Sequence, residues 1–246
     1  MGPLRRGRAI GWHRRAPSRG PSVSRDGQYA LRYEGSAAEV ANGRTGAGIS
    51  KLGPAGRPNA AVFSDDGSRV LTIGGDVRTT ASTGPSAVWL TESGELVRRL
   101  GTDPQTFTGA FDGDATPPRV ATGGEDGVVR LWALEDPAAP PTVVGTAVGR
   151  VVALAMSRDG RFVAVASRDT TARVWEPDRA AAPILLTGRR DDVFGIDFSP
   201  DGALVVTTGA DRTARVWDGP TGEELLAVPA DVGGELPAAP RPTARE

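Results

Sequence analysis

No cysteine occurs in the 246 residues, and His13 is the single histidine. The first absence removes thiol nucleophiles, disulfides and thiolate metal sites. The second leaves no candidate base for a Ser-His-Asp triad and removes the commonest metal ligand, because His13 lies in the arginine-rich leader, outside the rest of the chain's pattern. Lys51 is the sole lysine, and every other cationic side chain is an arginine. Aromatic residues are 5% of the chain. No apolar run reaches the ~18 residues of a spanning helix. The leading residues carry arginines but no apolar stretch of the kind a secretory signal needs. The formal charge is −1, so the whole molecule gives no electrostatic reason to expect nucleic acid. A cytoplasmic protein without membrane contact is the expectation.

What the chain has in quantity is glycine (33) and proline (20), spread through it without a three-residue period. That suits a fold with many tight connections and excludes collagen. The heavy Arg, Ala, Gly and Pro usage resembles proteins of GC-rich bacteria and says nothing of function.

Two stretches are near-copies. Met156-Ser157-Arg158-Asp159-Gly160 leads through Arg161 to Ala166 and into Ser167-Arg168-Asp169-Thr170-Thr171-Ala172-Arg173-Val174-Trp175. Phe198-Ser199-Pro200-Asp201-Gly202 leads through Ala203 to Thr208 and into Gly209-Ala210-Asp211-Arg212-Thr213-Ala214-Arg215-Val216-Trp217. Both the Asp-Gly pairs and the tryptophans lie 42 residues apart. Trp89, Trp132 and Trp175 follow one another at steps of 43. Asp-Gly takes the left-handed backbone of a tight turn, and the β-branched runs between turns read as strands. Four short antiparallel strands per period of about 40–45 residues describe a propeller blade.

The endings Arg215 to Asp218 (Arg-Val-Trp-Asp), Arg173 to Glu176 (Arg-Val-Trp-Glu) and Arg130 to Trp132 (Arg-Leu-Trp) resemble the repeat terminus of the WD40 family. Phe198 to Gly202 is similar to that family's internal turn. The resemblance implies an all-β propeller. Five units are recognisable, at about 23–57, 58–101, 102–145, 146–188 and 189–228. Residues 1–22 read as a basic leader and 229–246 as a Pro/Ala-rich tail, both expected to be disordered. In the first unit Ala41 stands where the others carry tryptophan. The second unit has an insertion from Gly74 to Ser86. Members of the family usually have seven blades. A fragment of a larger ring, a ring of five, and an open arc whose strand edges associate with another chain all stay open.

The tryptophans Trp89, Trp132, Trp175 and Trp217 are expected to pack between blades. Asp126, Asp169 and Asp211 occupy the turn before the Trp-bearing strand. The resemblance places an aspartate there in a network with a histidine, a serine or threonine, and the tryptophan. That histidine is missing from every unit, with Arg189 at its place in the fifth, so the full network is not expected to form. Asp65, Asp66, Asp112 and Asp114 read as solvated turn residues, their spacing unlike a calcium loop. Gly74-Gly75 and Gly123-Gly124 lack the Lys-Ser/Thr and helix of a phosphate loop. No cofactor or metal site is expected.

Two functional classes compete. The resemblance implies a non-catalytic protein-binding scaffold, with Arg168, Arg212 and Asp192 as candidate contacts to a partner not identified by the sequence. The alternatives are a ligand-binding or hydrolytic propeller resting on carboxylates, and a non-functional fragment of a larger regulatory protein. Nucleic-acid binding through Arg5, Arg6, Arg8, Arg14, Arg15 and Arg19 is the weakest option.

Overall fold

The turn that recurs along the chain is a Ser-x-Asp-Gly hydrogen-bond knot. Ser199 Oγ donates to Asp201 Oδ1 at 2.5 Å and accepts the Leu204 amide at 2.9 Å, while Asp201 Oδ1 takes the Ala203 amide at 3.1 Å. Gly202 closes it with φ +72°. The same knot forms at Ser24–Asp26, Ser64–Asp66 and Ser157–Asp159. Those of the second, fourth and fifth sheets reverse the chain between two strands whose alternating apolar residues then find opposite faces of a sheet.

The computed structural model describes residues 22–34, 37–52, 58, 60–74, 86–101, 106–113, 116–179, 181–188 and 191–229. Residues 1–21 of the leader, 230–246 of the tail, most of the Gly74–Ser86 insertion, Asp114 and Arg189 lie outside the described residues. Five antiparallel meanders account for the strands. The first holds β1 (Tyr29–Glu34), β2 (Ala37–Asn42) and β3 (Gly48–Leu52). The second holds β4 (Ala60–Phe63), β5 (Arg69–Ile73), β6 (Ala87–Leu90) and β7 (Leu96–Arg99). The third holds β8 (Thr106–Phe111), β9 (Arg119–Gly124), β10 (Val128–Ala133) and β11 (Thr142–Thr146). The fourth holds β12 (Val151–Met156), β13 (Val163–Ser167), β14 (Ala172–Trp175) and β15 (Ile184–Leu186). The fifth holds β16 (Val193–Phe198), β17 (Leu204–Gly209), β18 (Thr213–Asp218) and β19 (Glu224–Pro229). The all-β, five-bladed expectation matches this architecture.

The sheets stack face on face in chain order. Strand β12 lies against both β8 and β16, which sets the leading strands of three sheets side by side. Each interface follows one rule: the Trp-bearing face of a sheet packs on the opposite face of the sheet before it. Trp89, Val70 and Ala61 meet Leu31, Val40 and Leu52. Trp132, Val120 and Phe111 meet Leu71, Ile73 and Val88. Trp175, Val163 and Met156 meet Ala121, Val129 and Leu131. Trp217, Val205 and Phe198 meet Ala164, Val174 and Leu186. Burying one indole removes about 150–250 Å² from water, which at ~25 cal/mol/Å² stabilises by several kcal/mol at most.

The outer strand of each sheet also serves the next tryptophan. Arg98 on β7 is buried and lies 5.2 Å over the Trp132 ring. Its guanidinium donates to the carbonyls of Ala133, Asp136 and Ala139, clamping the loop after β10. On β11, Gly145 leaves the space the Trp175 indole fills; a Cβ there would lie 2.3 Å from Nε1.

The first sheet begins with the strand that is second in the others. Val23 bridges Ala30 just before β1, at the place where Phe198 pairs with Val205 in the fifth sheet. Ala41 pairs with Ala30 where Trp217 pairs with Val205.

The third sheet corrects one expectation. Asp112 is 1% exposed and is not a solvated turn residue. It stands where the other sheets have the knot serine, and its Oδ2 accepts the Arg119 amide at 2.9 Å and Arg119 Nε at 3.3 Å. Burial pushes its carboxyl above the ordinary aspartate range, against the Arg119 contacts that lower it. Arg119 goes on to bind Asp178 at 3.0 Å and the Gly160 carbonyl at 2.8 Å, tying the third sheet to the fourth.

Candidate functional site

The turns between the second and third strands of the last three sheets share one construction. Asp126 and Asp211 sit two residues before a strand and Asp169 three, and they accept the amides of Val128, Thr213 and Thr171 at 3.1 Å. Each also meets the arginine four residues on: Arg130 at 2.7 Å, Arg173 at 2.8 Å and Arg215 at 3.3 Å. Residues i and i+4 of a turn-plus-strand point to the same side, so the arginine folds back over its own turn. Burial raises the Asp169 carboxyl, but the Thr171 hydroxyl, the Arg173 guanidinium and the Thr171 amide outweigh it and hold it below the usual range.

The tryptophans complete the arrangement. The indole Nε1 donates to a threonine on the neighbouring strand: Trp89 to Thr72 at 2.9 Å, Trp132 to Thr122 at 2.8 Å and Trp217 to Thr207 at 2.8 Å. In the fourth sheet Val165 stands at the threonine's place, two residues beyond the Val163 that pairs with Trp175. The aspartates cap the amides of their turns, and the Trp–Thr bonds stand apart from them. A Trp–Thr bond forms in three sheets, and an arginine is the aspartate's cationic partner in the last three. Sequence reasoning missed Thr72, Thr122, Thr207, Arg130, Arg173 and Arg215.

These turns and the loops leading into β12 and β16 make one rim. The Arg168 amide donates to the Arg150 carbonyl at 3.2 Å, and the Ala210 amide to Asp192 at 2.9 Å. Arg150 reaches Glu125 at 3.6 Å, joining the fourth sheet's entry loop to the third sheet's turn. On this frame Arg168, Thr170 and Arg212 are exposed, and Asp192 is half-buried. Val148 is 85% and Phe194 55% exposed beside them; neither stood out in the sequence. The turn needs a left-handed residue after its aspartate. Gly127 supplies it in the third sheet with φ +72°, whereas Thr170 (+68°) and Arg212 (+56°) occupy the same place in the fourth and fifth.

Two clefts bear on the catalytic alternative. One of about 510 Å³ is lined by Gln28, Tyr29, Asn42, Arg44, Ile49 and Glu92, and its one carboxylate accepts the Tyr29 hydroxyl at 3.0 Å. The other, about 350 Å³, includes Asp66 and Asp112. Asp66 is taken up by Ser64 and Ser68, and Asp112 by Arg119.

Residues 142–176 and 183–218 match the family model described as WD domain, G-beta repeat. These two segments are WD40 repeats. The matched segments run from β11 to Glu176 and from Pro183 to Asp218, so each takes in one Asp–Arg turn and one tryptophan of the fourth and fifth sheets. WD40 repeats are in general protein-interaction scaffolds and are typically non-catalytic. No curated protein matches the chain. Within those repeats Asp169–Arg173 and Asp211–Arg215 are ion pairs that fold each arginine back over its turn.

Proposed function

We propose that this chain is a non-catalytic scaffold that binds a partner protein through the rim formed by Val148, Arg150, Arg168, Thr170, Asp192, Phe194 and Arg212. The observation that carries the reading is the backbone at Thr170 and Arg212. A left-handed conformation costs a side-chain-bearing residue about 1–2 kcal/mol, and glycine does the same work in the third sheet at no such cost. Strain kept in two adjacent blades, at positions that hold polar side chains out toward solvent, favours a surface selected for contact over one selected for stability. An exposed aromatic and exposed arginines on a rigid frame are the residue types that anchor protein interfaces.

The test is cross-linking of the full chain to its partner in cells, identification by mass spectrometry, and affinity measurements with the purified pair. Arg168→Glu, Arg212→Glu and Phe194→Ser are each expected to weaken binding tenfold or more. Unchanged affinity for all three would show the rim to be wrong. Asp192→Arg reports on the sign of the partner's facing charge.

A further inference from the structure

We infer that the cleft between the first and second sheets is a binding site for a short zwitterionic peptide, about a dipeptide in size, with an apolar side chain. The cleft lies at the opposite ends of the strands from the rim and does not depend on it.

Local structure fixes the walls. Gln28 precedes β1 and Asn42 ends β2. The Gly43 amide donates to the Gln28 carbonyl at 2.7 Å, so the knot and the hairpin of the first sheet meet. The second sheet supplies the other wall through the hairpin after β6. Ser50 Oγ donates to the Thr91 carbonyl at 2.6 Å. Gly94 comes so close to β3 that a Cβ there would lie 2.5 Å from the Lys51 carbonyl oxygen. That seating holds Glu92 at the cleft, where it accepts the Tyr29 hydroxyl at 3.0 Å. The Tyr29 ring is held in turn by Phe63 of the second sheet, with centroids 6.2 Å apart. The space between the walls is about 510 Å³, within the range of small-molecule sites.

The unused bonding capacity of the lining identifies the ligand. Arg44 and Glu92 bring opposite charges to one cleft and form no ion pair with each other. Among the described residues the Arg44 guanidinium has no hydrogen-bond or ion-pair partner, and Glu92 keeps its second carboxylate oxygen after the Tyr29 bond. Asn42 Oδ1 is committed to the amides of Arg44 and Thr45, at 3.0 and 2.9 Å. Its NH₂ is thereby left as a donor. The Gln28 side-chain amide adds one more donor and one more acceptor. Ile49, 40% exposed, and the Tyr29 ring are the apolar part of the lining.

A lone anion would meet Glu92, a lone cation would meet Arg44, and a neutral ligand would answer neither charge. A zwitterion answers both: its carboxylate takes Arg44 and the Asn42 amide, its ammonium takes Glu92, and an apolar side chain covers Ile49. The volume has room for two residues, whose peptide group meets the Gln28 amide. The charged groups stay in contact with water, so affinity is modest, with Kd between about 10 µM and about 1 mM.

Calorimetric titration of the full chain with leucyl-leucine, its N-acetyl form and its C-terminal amide tests this. The dipeptide is expected to bind, and each capped form to bind at least about threefold more weakly, the scale of a solvent-exposed charge pair. Arg44→Gln removes the discrimination against the amide and keeps that against the N-acetyl form. Glu92→Gln does the reverse. Both residues are exposed in turns, and glutamine still accepts the Tyr29 hydroxyl, so both variants keep their fold, checked by circular dichroism. Arg212→Glu on the rim leaves the dipeptide affinity unchanged. No binding of leucyl-leucine up to about 10 mM, equal binding of the three peptides, or discrimination that neither glutamine variant alters would each overturn the proposal.

Discussion

Trp217 Nε1 donates to Thr207 Oγ1 at 2.8 Å, and both side chains are buried, at 1% and 0% exposure. The bond joins the third strand of the fifth sheet to the second, at the interface where Trp217 packs on the fourth sheet. Replacing Thr207 with valine keeps the shape and strips the indole N–H of its acceptor. Leaving a buried donor unpaired costs about 1–3 kcal/mol. Urea denaturation should show that loss for Thr207→Val and recover most of it for Thr207→Ser. Equal stability of the valine variant would mean that the packing of the indole, and not its hydrogen bond, holds the interface.

The Asp169–Arg173 pair makes a prediction about acid. Both side chains are close to nine-tenths buried, and they meet at 2.8 Å. Asp169 has its folded pKa below the ordinary value of 3.8. Its contribution to stability is therefore complete above that ordinary value and is lost as pH falls through the lower folded one. Arg173→Met is expected to cost about 2–3 kcal/mol at neutral pH, since it strands a mostly buried carboxylate. Asp169→Asn should flatten the fall in stability between pH 5 and pH 3, roughly the window set by such a shift. A parent curve and an Asp169→Asn curve of the same steepness would refute the ion-pair account.

The left-handed turn residue gives opposite signs in neighbouring blades. Thr170→Gly and Arg212→Gly each relieve backbone strain and are expected to raise stability by about 1 kcal/mol. Gly127→Ala should do the reverse, by about 2 kcal/mol or more. Its backbone has φ +72°, and a Cβ would lie 2.6 Å from the Ala147 carbonyl oxygen, which belongs to rigid main chain. Thermal melts of the three variants decide the matter. A destabilised Thr170→Gly would remove the strain argument on which the proposed rim rests.

The sequence carried the repeat, its period and its turns because Asp-Gly and tryptophan are rare enough for their phase to show. The fold class and the seating of each tryptophan between sheets could be read from those residues. The threonine acceptors could not. Thr207 lies ten residues before Trp217 in a strand where threonine is common anyway, and Thr72 lies seventeen before Trp89 because of the insertion. Arg173 and Arg215 entered the sequence reading only as part of the repeat endings; the fold-back over the turn reveals them as the partners of Asp169 and Asp211. The partial exposure of Val206 and Val216 in the fifth sheet was hidden for another reason. Val206 and Val216 resemble buried residues of any blade, and their exposure depends on whether a further sheet packs over them.

Asp112 shows how a departure from the repeat becomes a stability term. Four sheets use serine at this place: Ser24, Ser64, Ser157 and Ser199. The third uses a carboxylate that is 1% exposed and paired with Arg119 at 3.3 Å. Burial raises its pKa in the folded state above 3.8, and the Arg119 contacts do not cancel that rise. The sign is the reverse of Asp169. A carboxyl with a raised folded pKa destabilises the native state at all pH values above that pKa, and the penalty vanishes below the unfolded value. Asp112→Asn keeps an oxygen to accept the Arg119 amide and removes the charge. It is therefore expected to be more stable than the parent at pH 7, with the advantage closing as pH approaches 4. Arg119 retains Asp178 and the Gly160 carbonyl in the variant, so the link between the third and fourth sheets survives. Denaturant titrations of parent and variant at stepped pH would measure this. A variant less stable at pH 7 would mean that the ion pair outweighs the burial of its charge, and that the third blade gains from the aspartate it carries in place of serine.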